Sequence, residues 1–291
     1  KGCDRIMELK NRSQYLDKLI SVQDMEVIKV VTGIRRCGKS SLLKLMMAHL
    51  REQGVMEEQI LSMNFESMQF ADMDSKSLYQ YVMERAPKGK RLYLFLDEVQ
   101  KVRDWQDAVN SFRVDLYCDI YVTGSNAYLL SSELSTYLSG RYVEIRMLPL
   151  SLKEFLAVTG LEEERGFAEY LRSGGLPYVA RMNRTTEKVE TYLEGIYNTV
   201  IVKDIEDRQA RKESDPGRRK ITDVALLKTI AKYLASVVGS PVSVRGITNY
   251  LVSSGRKISP NTVNDYVEAL TESFIFYPAE RFDIVGKQLL K

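Results

Sequence analysis

The chain has 291 residues, a length typical of about two domains, and 44% of its residues are apolar, enough to bury a substantial core. Lysine and arginine number 42 against 39 aspartate and glutamate, so the formal net charge is only +3. This composition excludes a disordered chain and a small disulfide scaffold, and the balance of charge gives no general affinity for polyanions.

Short apolar runs alternate with helical patterns over the first half of the chain. The runs have the length and the β-branched or aromatic content of strands buried on both faces. They are residues 27–31, 60–65, 92–96, 120–123 and 142–147. Helices fit between them, one beginning at Gly38 and another after Asp104. The alternation predicts an α/β fold, a parallel sheet of about five strands with helices on its faces.

The pattern changes after Pro149. From there to about residue 207 it is helical, interrupted by a turn at residues 173–177. Residues 208–220 are polar and mostly basic and contain a Pro-Gly pair, which is typical of a linker. We therefore predict a sheet domain at residues 1–148, followed by a helical subdomain with a basic linker at residues 149–220.

Helical patterns and then β-rich runs follow one another in the last part of the chain. The helical patterns cover residues 223–237 and 243–253 and a segment opened by Ser259 and Pro260. The β-rich runs are residues 274–277 and 281–285, on either side of Pro278. The order of three helices and a hairpin predicts a winged-helix domain at residues 221–291.

The segment GIRRCGKS at residues 33–40 has the spacing G-x4-G-K-[ST] and lies between a strand pattern and a helical pattern. Glycines let the backbone curl so that its N–H groups face phosphate oxygens, and the start of the next helix adds its positive end. Lys39 supplies a point charge and Ser40 a hydroxyl ligand for Mg²⁺. The segment predicts a Walker A nucleotide-binding loop. Its binding residues are Gly33, Arg36, Cys37, Gly38, Lys39, Ser40 and Ser41.

Two carboxylates, Asp97 and Glu98, end the strand pattern at residues 92–96. Asp97 is suited to orient Mg²⁺, while Glu98 can polarise a water for in-line attack on a γ-phosphate. The strand pattern at residues 60–65 favours the P-loop branch in which an extra strand separates the two motifs. Together with the loop, these residues predict an ATP-hydrolysing enzyme with ATP and Mg²⁺ as cofactors.

Cysteine usage and hydropathy bear on location. The three cysteines, Cys3, Cys37 and Cys118, are odd in number and lack CxxC spacing, which argues against disulfides and a cysteine zinc site and favours the cytoplasm. No apolar run approaches 18 residues, so no membrane association is expected. Cys37 is interpreted as a tolerated small residue; if its thiolate is reachable, alkylation should block nucleotide binding.

Beyond these motifs, the sequence resembles the AAA-like bacterial and archaeal ATPases in which a P-loop domain precedes a winged helix and a restriction-endonuclease-like domain. The matching segments reach to about residue 180. They are VVTGIRRCGKSS (30–41), LDEVQ (96–100), TGSN (123–126), LSGRY (138–142), LPLS (148–151) and GGLP (174–177). The sequence ends at Lys291, near where the nuclease-like domain would begin, so the resemblance brings no nuclease activity to these residues.

The resemblance implies roles for several polar residues. Asn126 is placed like the sensor 1 residue that reports on the γ-phosphate, with a turn asparagine as the alternative. Arg141 is placed like an arginine finger for a neighbouring subunit, against a surface arginine paired with Glu144. Asn64 resembles the polar switch that restrains the catalytic glutamate, although an ordinary strand-end asparagine is the favoured interpretation. Two candidates for a sensor 2 arginine are Arg172 and Arg181.

Base preference and DNA binding rest on weaker signals. No N-K-x-D guanine-reading motif occurs, which favours ATP over GTP. Tyr15 and Leu16 are candidates to pack on adenine, with a plain core contact as the favoured alternative. The third helix of the winged-helix domain carries only acidic ionisable residues from residue 259 to residue 273, so base reading by it is disfavoured.

The sequence therefore predicts an AAA-like molecular switch that binds and hydrolyses ATP. The catalytic candidates are Lys39, Glu98, Asn126 and Arg141, and the metal candidates are Ser40 and Asp97. Partner proteins or further copies of the chain would dock through Arg141 and the winged helix. The alternative is a nucleotide-gated regulatory or DNA-targeting module with little intrinsic hydrolysis.

Overall fold

The computed structural model describes residues 12–124, 140–182, 186–199 and 223–279. The chain divides into two compact units, Lys1–Glu190 and Thr191–Lys291. Within the described ranges, no helix is both long and apolar enough to cross a bilayer. The division at residues 148 and 220 stays a prediction, and the basic linker at residues 208–220 lies outside the described residues.

A five-stranded parallel sheet forms the centre of the first unit, as predicted. The strand order is β2-β3-β4-β1-β5. The strands are β1 Ile28–Thr32, β2 Ile60–Asn64, β3 Leu92–Asp97, β4 Cys118–Gly124 and β5 Tyr142–Arg146. Because β4 pairs with both β1 and β3, it separates the strand before the phosphate loop from the strand that ends in Asp97.

Among the described residues, four helices cover the two faces of this sheet. They are α1 Ser13–Ser21, α2 Lys39–Glu52, α3 Ser75–Met83 and α4 Trp105–Asp115. Alternate side chains of each strand point to opposite faces. Leu94 on β3 therefore joins the core with Trp105 of α4, while Phe95 joins the core with Leu42 of α2. Burial on both faces explains why the three central strands, β1, β3 and β4, are mostly apolar, whereas the edge strands β2 and β5 are only partly buried, contrary to the sequence-based expectation.

One buried ion pair interrupts the apolar packing beneath α1 and α2. Lys29 of β1 and Asp119 of β4 have fully buried side chains and are in direct contact. Lys29 Nζ also donates to Met25 O at 2.7 Å, and Tyr121 Oη donates to Asp119 Oδ2 at 2.8 Å. Burial lowers the pKa of Lys29, and the carboxylate of Asp119 opposes that effect. The charges are thus paired and hydrogen-bonded, as buried charges require.

Helices follow β5, in agreement with the predicted helical subdomain. They are α5 Leu152–Thr159, α6 Glu163–Ser173, α7 Pro177–Arg181 and α8 Thr186–Asn198. Ser151 and Glu154 cap the start of α5 reciprocally. The loop between α6 and α7 packs against the segment after β5, since Leu150 N donates to Gly175 O at 2.7 Å. A Cβ on Gly175 would lie 2.3 Å from Leu150 O, so this approach requires glycine.

The second unit contains the helices expected in the last part of the chain. They are α9 Val224–Ser236, α10 Val244–Ser253 and α11 Pro260–Glu272. The side chains of Asp223, Ser243 and Ser259 accept the N-cap hydrogen bonds. Ile230, Leu251 and Leu270 are among the residues of their shared core.

The predicted strand at residues 274–277 is wrong. Phe274 has a left-handed φ of +59° and its N–H donates to Thr271 O, and Ile275 N donates to Leu270 O. The chain therefore folds back on the end of α11. Phe274 is buried there, which explains the large apolar side chain at the start of the run. The second predicted strand, residues 281–285, lies outside the described residues, and the winged helix stays a prediction.

Candidate nucleotide-binding site

The loop after β1 is shaped by two glycines. Gly33 has a φ of +146°, and a Cβ there would lie 2.1 Å from Met147 O, so a larger residue would collide with the segment after β5. Gly38 has a φ of +110° and is the N-cap of α2 without a side-chain cap. No side chain caps the start of α2, and the amides of a helix's first turn are the groups that bind an anion in a phosphate-binding loop.

Lys39 holds its ammonium group at the mouth of this loop. Its side chain is only 3% exposed. Nζ donates to Gly33 O at 3.0 Å and to Ile34 O at 3.3 Å, and it lies 3.8 Å from Glu98 Oε1. The positive charge of Lys39 therefore lies between the loop and Glu98, which follows β3.

Asp97 is the last residue of β3 and is buried among hydrogen-bond donors. Thr123 Oγ1 donates to Oδ1 at 2.5 Å and Asn64 Nδ2 donates to Oδ2 at 3.1 Å. Burial raises the pKa of Asp97, while hydrogen bonds from Thr123 and Ser40 oppose the rise. The contact with Ser40 brings the two predicted metal ligands together. A hydroxyl and a carboxylate are the oxygen ligands that Mg²⁺ prefers, so these residues fit the ion.

Glu98 turns away from Asp97 because its backbone is left-handed, with a φ of +57°. Its N–H donates to Thr123 Oγ1 at 2.9 Å, so Thr123 bonds to both acidic residues. Gln100 Nε2 donates to Glu98 Oε2 at 2.6 Å. The two neighbouring carboxylates therefore lie in separate environments and can do separate work.

Three residues of this cluster differ from the sequence-based expectation. Thr123 and Gln100 were not among the predicted site residues, although both lie within motifs of the resemblance. Asn64 was compared with a switch that restrains the glutamate, but it contacts Asp97 and not Glu98; its Oδ1 accepts from Glu66 N at 2.8 Å. Asn64 therefore holds the carboxylate of Asp97, the predicted metal ligand, and not that of Glu98.

The remaining loop residues have different exposures. Arg36 lies at the exposed tip of the loop with a φ of +66°, and Ser41 is exposed on the first turn of α2. Cys37 is fully buried, and burial raises the pKa of its thiol. The thiolate needed for alkylation is therefore disfavoured and out of reach, which supports the interpretation of Cys37 as a tolerated small residue.

Arg141 does not join this cluster. Asn126 lies outside the described residues. Arg141 is exposed and directly precedes β5, where its carbonyl accepts from Ile28 N at 2.9 Å. It thus lies at the amino end of the parallel strands, opposite the phosphate loop. Glu144, the alternative partner of Arg141, instead accepts from Thr32 Oγ1 at 2.6 Å and lies 3.6 Å from Arg146 Nε.

An apolar cavity of about 140 Å³ lies beside the phosphate loop. Residues of the loop, α2, the segment after β5, α5 and α7 line it; they include Gly38, Leu42, Met147, Val158, Pro177 and Arg181. Of the two sensor 2 candidates, Arg181 lines this cavity. Tyr15 and Leu16 pack in the core with α2, which favours the core interpretation for both.

Comparisons with known proteins agree with this geometry. Residues 26–156 match the family model of an AAA domain, and residues 164–291 match a domain of unknown function (DUF8612). An uncharacterized protein of Haemophilus influenzae is 38% identical over 288 residues, which cover 97% of this chain and 69% of that protein. The chain belongs to the family of this protein. The region of this chain that matches the AAA family model contains all five strands, β1 to β5.

Two further matches are more distant in sequence. Uncharacterized protein MJ1544 of Methanocaldococcus jannaschii is 23% identical over 300 residues, which cover 97% of this chain and 63% of that protein. The chain thus spans about two thirds of the length of these relatives. The Walker-type ATPase PABY2304 of Pyrococcus abyssi superposes with a TM-score of 0.55 at 17% identity, over 90% of this chain and 89% of the other. The shared fold is that of a P-loop ATPase.

Proposed function

We propose that the AAA domain binds ATP with Mg²⁺ and hydrolyses it. The convergence of two segments at the carboxyl edge of the sheet supports this proposal. Lys39 lies 3.8 Å from Glu98, and Ser40 is hydrogen-bonded to Asp97. A glycine-shaped loop at the start of a helix, a buried ammonium group, a metal-type ligand pair and a separate carboxylate are the parts that phosphoryl transfer to water needs.

Each side chain has a distinct task in this proposal. The amides of the loop and Lys39 bind the β- and γ-phosphates. Ser40 and Asp97 would hold Mg²⁺, which neutralises phosphate charge when bound. The raised pKa of Asp97 fits this role, because a buried carboxylate gains most from a cation partner. Glu98 orients the attacking water and accepts its proton.

The apolar cavity beside the loop is the candidate binding site of the adenine base. It opens next to Gly38 and Ser41, the residues that flank the start of α2, and its walls are mostly aliphatic. Aliphatic walls suit a planar base. Arg181 would then face the nucleotide from α7, as expected for a sensor 2 residue.

Two substitutions test the proposal. Lys39→Ala should abolish MgATP binding, measured by calorimetry, because the loop loses its only buried cation aimed at the phosphates. Glu98→Gln should bind MgATP as the parent does and lose phosphate release. Lys44→Ala, on the exposed side of the same helix, is the matched control and should change neither. Equal phosphate release by Glu98→Gln and the parent would refute the assignment of the base.

A second candidate function is a nucleotide-gated regulator with slow turnover. The hydrogen bond between Gln100 and Glu98 favours it, because a carboxylate held at 2.6 Å by an amide is less available to a water. A partner, a further copy presenting Arg141, or DNA would then trigger hydrolysis. Specific activity that rises with protein concentration would support an arginine supplied by another copy. Salt-dependent stimulation by duplex DNA would support a DNA-targeting module.

A further inference from the structure

The guanidinium of Arg12, just before α1, has a hydrogen-bond acceptor for every one of its donors. Its side chain is 8% exposed and a guanidinium has five N–H groups. Nε donates to Glu154 Oε1 at 2.8 Å. Nη1 donates to Cys37 O at 3.1 Å and Leu148 O at 2.9 Å, and Nη2 donates to Pro149 O at 3.2 Å and Glu154 Oε2 at 2.9 Å.

These acceptors come from three segments that are distant in sequence. Cys37 belongs to the phosphate loop, Leu148 and Pro149 to the segment after β5, and Glu154 to α5. Glu154 in turn accepts from Ser151 N at 2.8 Å, so the same carboxylate caps α5. One buried cation therefore joins the loop to the start of the helical subdomain.

The contact with Cys37 acts on the geometry of the loop. The peptide that joins Cys37 to Gly38 is planar, with its carbonyl and N–H pointing in opposite directions. A carbonyl held by Arg12 fixes the direction of the Gly38 N–H, which is one of the loop amides next to Lys39. The orientation of this amide is thus set from outside the loop.

We propose that Arg12 is a positioning residue that holds the phosphate loop in its binding form and couples it to α5 through Glu154. The inference rests on the proposed function, since it concerns affinity for the same nucleotide. A lysine cannot replace this arginine, because an ammonium group has three donors on one nitrogen and cannot form the paired contact with a carboxylate. Arg12 itself lines the wall of the cavity beside the loop.

The first test compares Arg12→Lys with Arg51→Lys in the full chain. Arg51 forms the same paired contact with Glu57, at 2.7 and 2.8 Å, but at an exposed position at the end of α2. Arg12→Lys should weaken MgATP binding by at least about tenfold, the loss expected for charge-assisted hydrogen bonds. Arg51→Lys should bind as the parent does. Unchanged affinity of folded Arg12→Lys would overturn the inference.

Hydrogen exchange separates coupling from a merely structural role. In the parent, MgATP should protect the amides of residues 148–159 as well as those of the loop. In Arg12→Lys that nucleotide-dependent protection should be lost. If the variant instead exchanges faster by the same factor with and without MgATP, Arg12 only supports the fold and the inference falls.

Glu154→Gln provides a variant that keeps the contacts of Arg12 with the carbonyl groups. It should bind MgATP within about threefold of the parent, because Cys37 O stays bonded, yet lose protection at residues 152–159. Retained protection would overturn the coupling through Glu154, and this variant decides the matter if Arg12→Lys does not fold. If the parent itself does not bind MgATP, the proposed function fails and the inference fails with it. If the parent binds and the variants match it, only the inference fails.

Discussion

Gln100 donates a hydrogen bond of 2.6 Å to the carboxylate of Glu98, two residues earlier in the chain. The contact occupies Oε2, while Oε1 lies 3.8 Å from the ammonium group of Lys39. The proposed catalytic base is therefore engaged on both oxygens. Breaking the hydrogen bond between Gln100 and Glu98 would therefore change the rate of hydrolysis without changing nucleotide affinity.

Gln100→Ala should raise the rate of ATP hydrolysis by up to about tenfold, the effect of one charge-assisted hydrogen bond on an activation barrier. The dissociation constant for MgATP should stay within a factor of about two, because the hydrogen bond that the substitution removes is the one to Glu98. Steady-state phosphate release and calorimetry measure the two quantities. Gln53→Ala, exposed at the end of α2, is the control. A slower Gln100→Ala would show that Gln100 orients the base instead of restraining it.

Gly33→Ala should abolish nucleotide binding and lower the free energy of unfolding by more than the cost of a left-handed alanine, about 1–2 kcal/mol. Its Cβ would lie 2.1 Å from Met147 O, so the loop or the segment after β5 must shift. Gly54→Ala separates the two effects, since Gly54 has a φ of +84° but nothing within 4 Å of the added Cβ. Urea denaturation of both variants gives the difference. Equal losses would mean that the collision is relieved at no cost.

Lys29→Met should lower the free energy of unfolding by about 3–5 kcal/mol, because it leaves the carboxylate of Asp119 buried without its cation. The double variant Lys29→Met, Asp119→Leu should recover a large part of that loss. Chemical denaturation measures both. Because the pair lies among β1, β4 and the helices that cover them, MgATP affinity should change little in the folded protein. The single variant Asp119→Leu completes the cycle. If the loss in the double variant equalled the sum of the losses in the two single variants, a direct interaction between the residues would be contradicted.

The pairing of Glu154 predicts a pH dependence. Burial alone would raise its pKa, but hydrogen bonds from Arg12 and Ser151 outweigh burial and hold the pKa below the ordinary 4.5. A lowered pKa contributes stability that is present above pH 4.5 and is lost as the pH falls through the lower folded-state value. The stability advantage of the parent over Glu154→Gln should therefore vanish in acid. Unfolding curves between neutral pH and pH 3 test this, and an advantage that grows in acid would contradict it.

The parts of the fold that the sequence predicts well are those in which local pattern and burial agree. Residues 92–96 are all buried. Their uninterrupted apolar run is typical of a central strand covered by helices on both faces, which is where the run lies. The run at residues 274–277 is equally rich in β-formers, but the left-handed Phe274 folds it onto α11. The residue types there predicted a strand, and only the backbone geometry shows a turn.

The candidate site divides in the same way. Lys39 and Ser40 are predicted by the spacing of the loop motif, and Asp97 and Glu98 by their place at the end of an apolar strand. The roles of Thr123 and Arg12 depend on contacts between distant segments: β4 must lie between β1 and β3, and Arg12 must reach a carbonyl 25 residues away. No spacing rule records such contacts, so these residues become visible only in three dimensions.

The close approach of Gly33 to the segment after β5 sets limits on protein engineering. Leu148 has a half-exposed side chain and would pass for an ordinary surface position, yet its N–H donates to Tyr15 Oη and its carbonyl accepts from Arg12. A tag, reporter or peptide inserted at Leu148 would break both hydrogen bonds and displace the segment after β5 that packs against Gly33 of the phosphate loop. The turn at Lys88 and Gly89 is exposed and open, and it is the better point for grafting a foreign sequence into this domain.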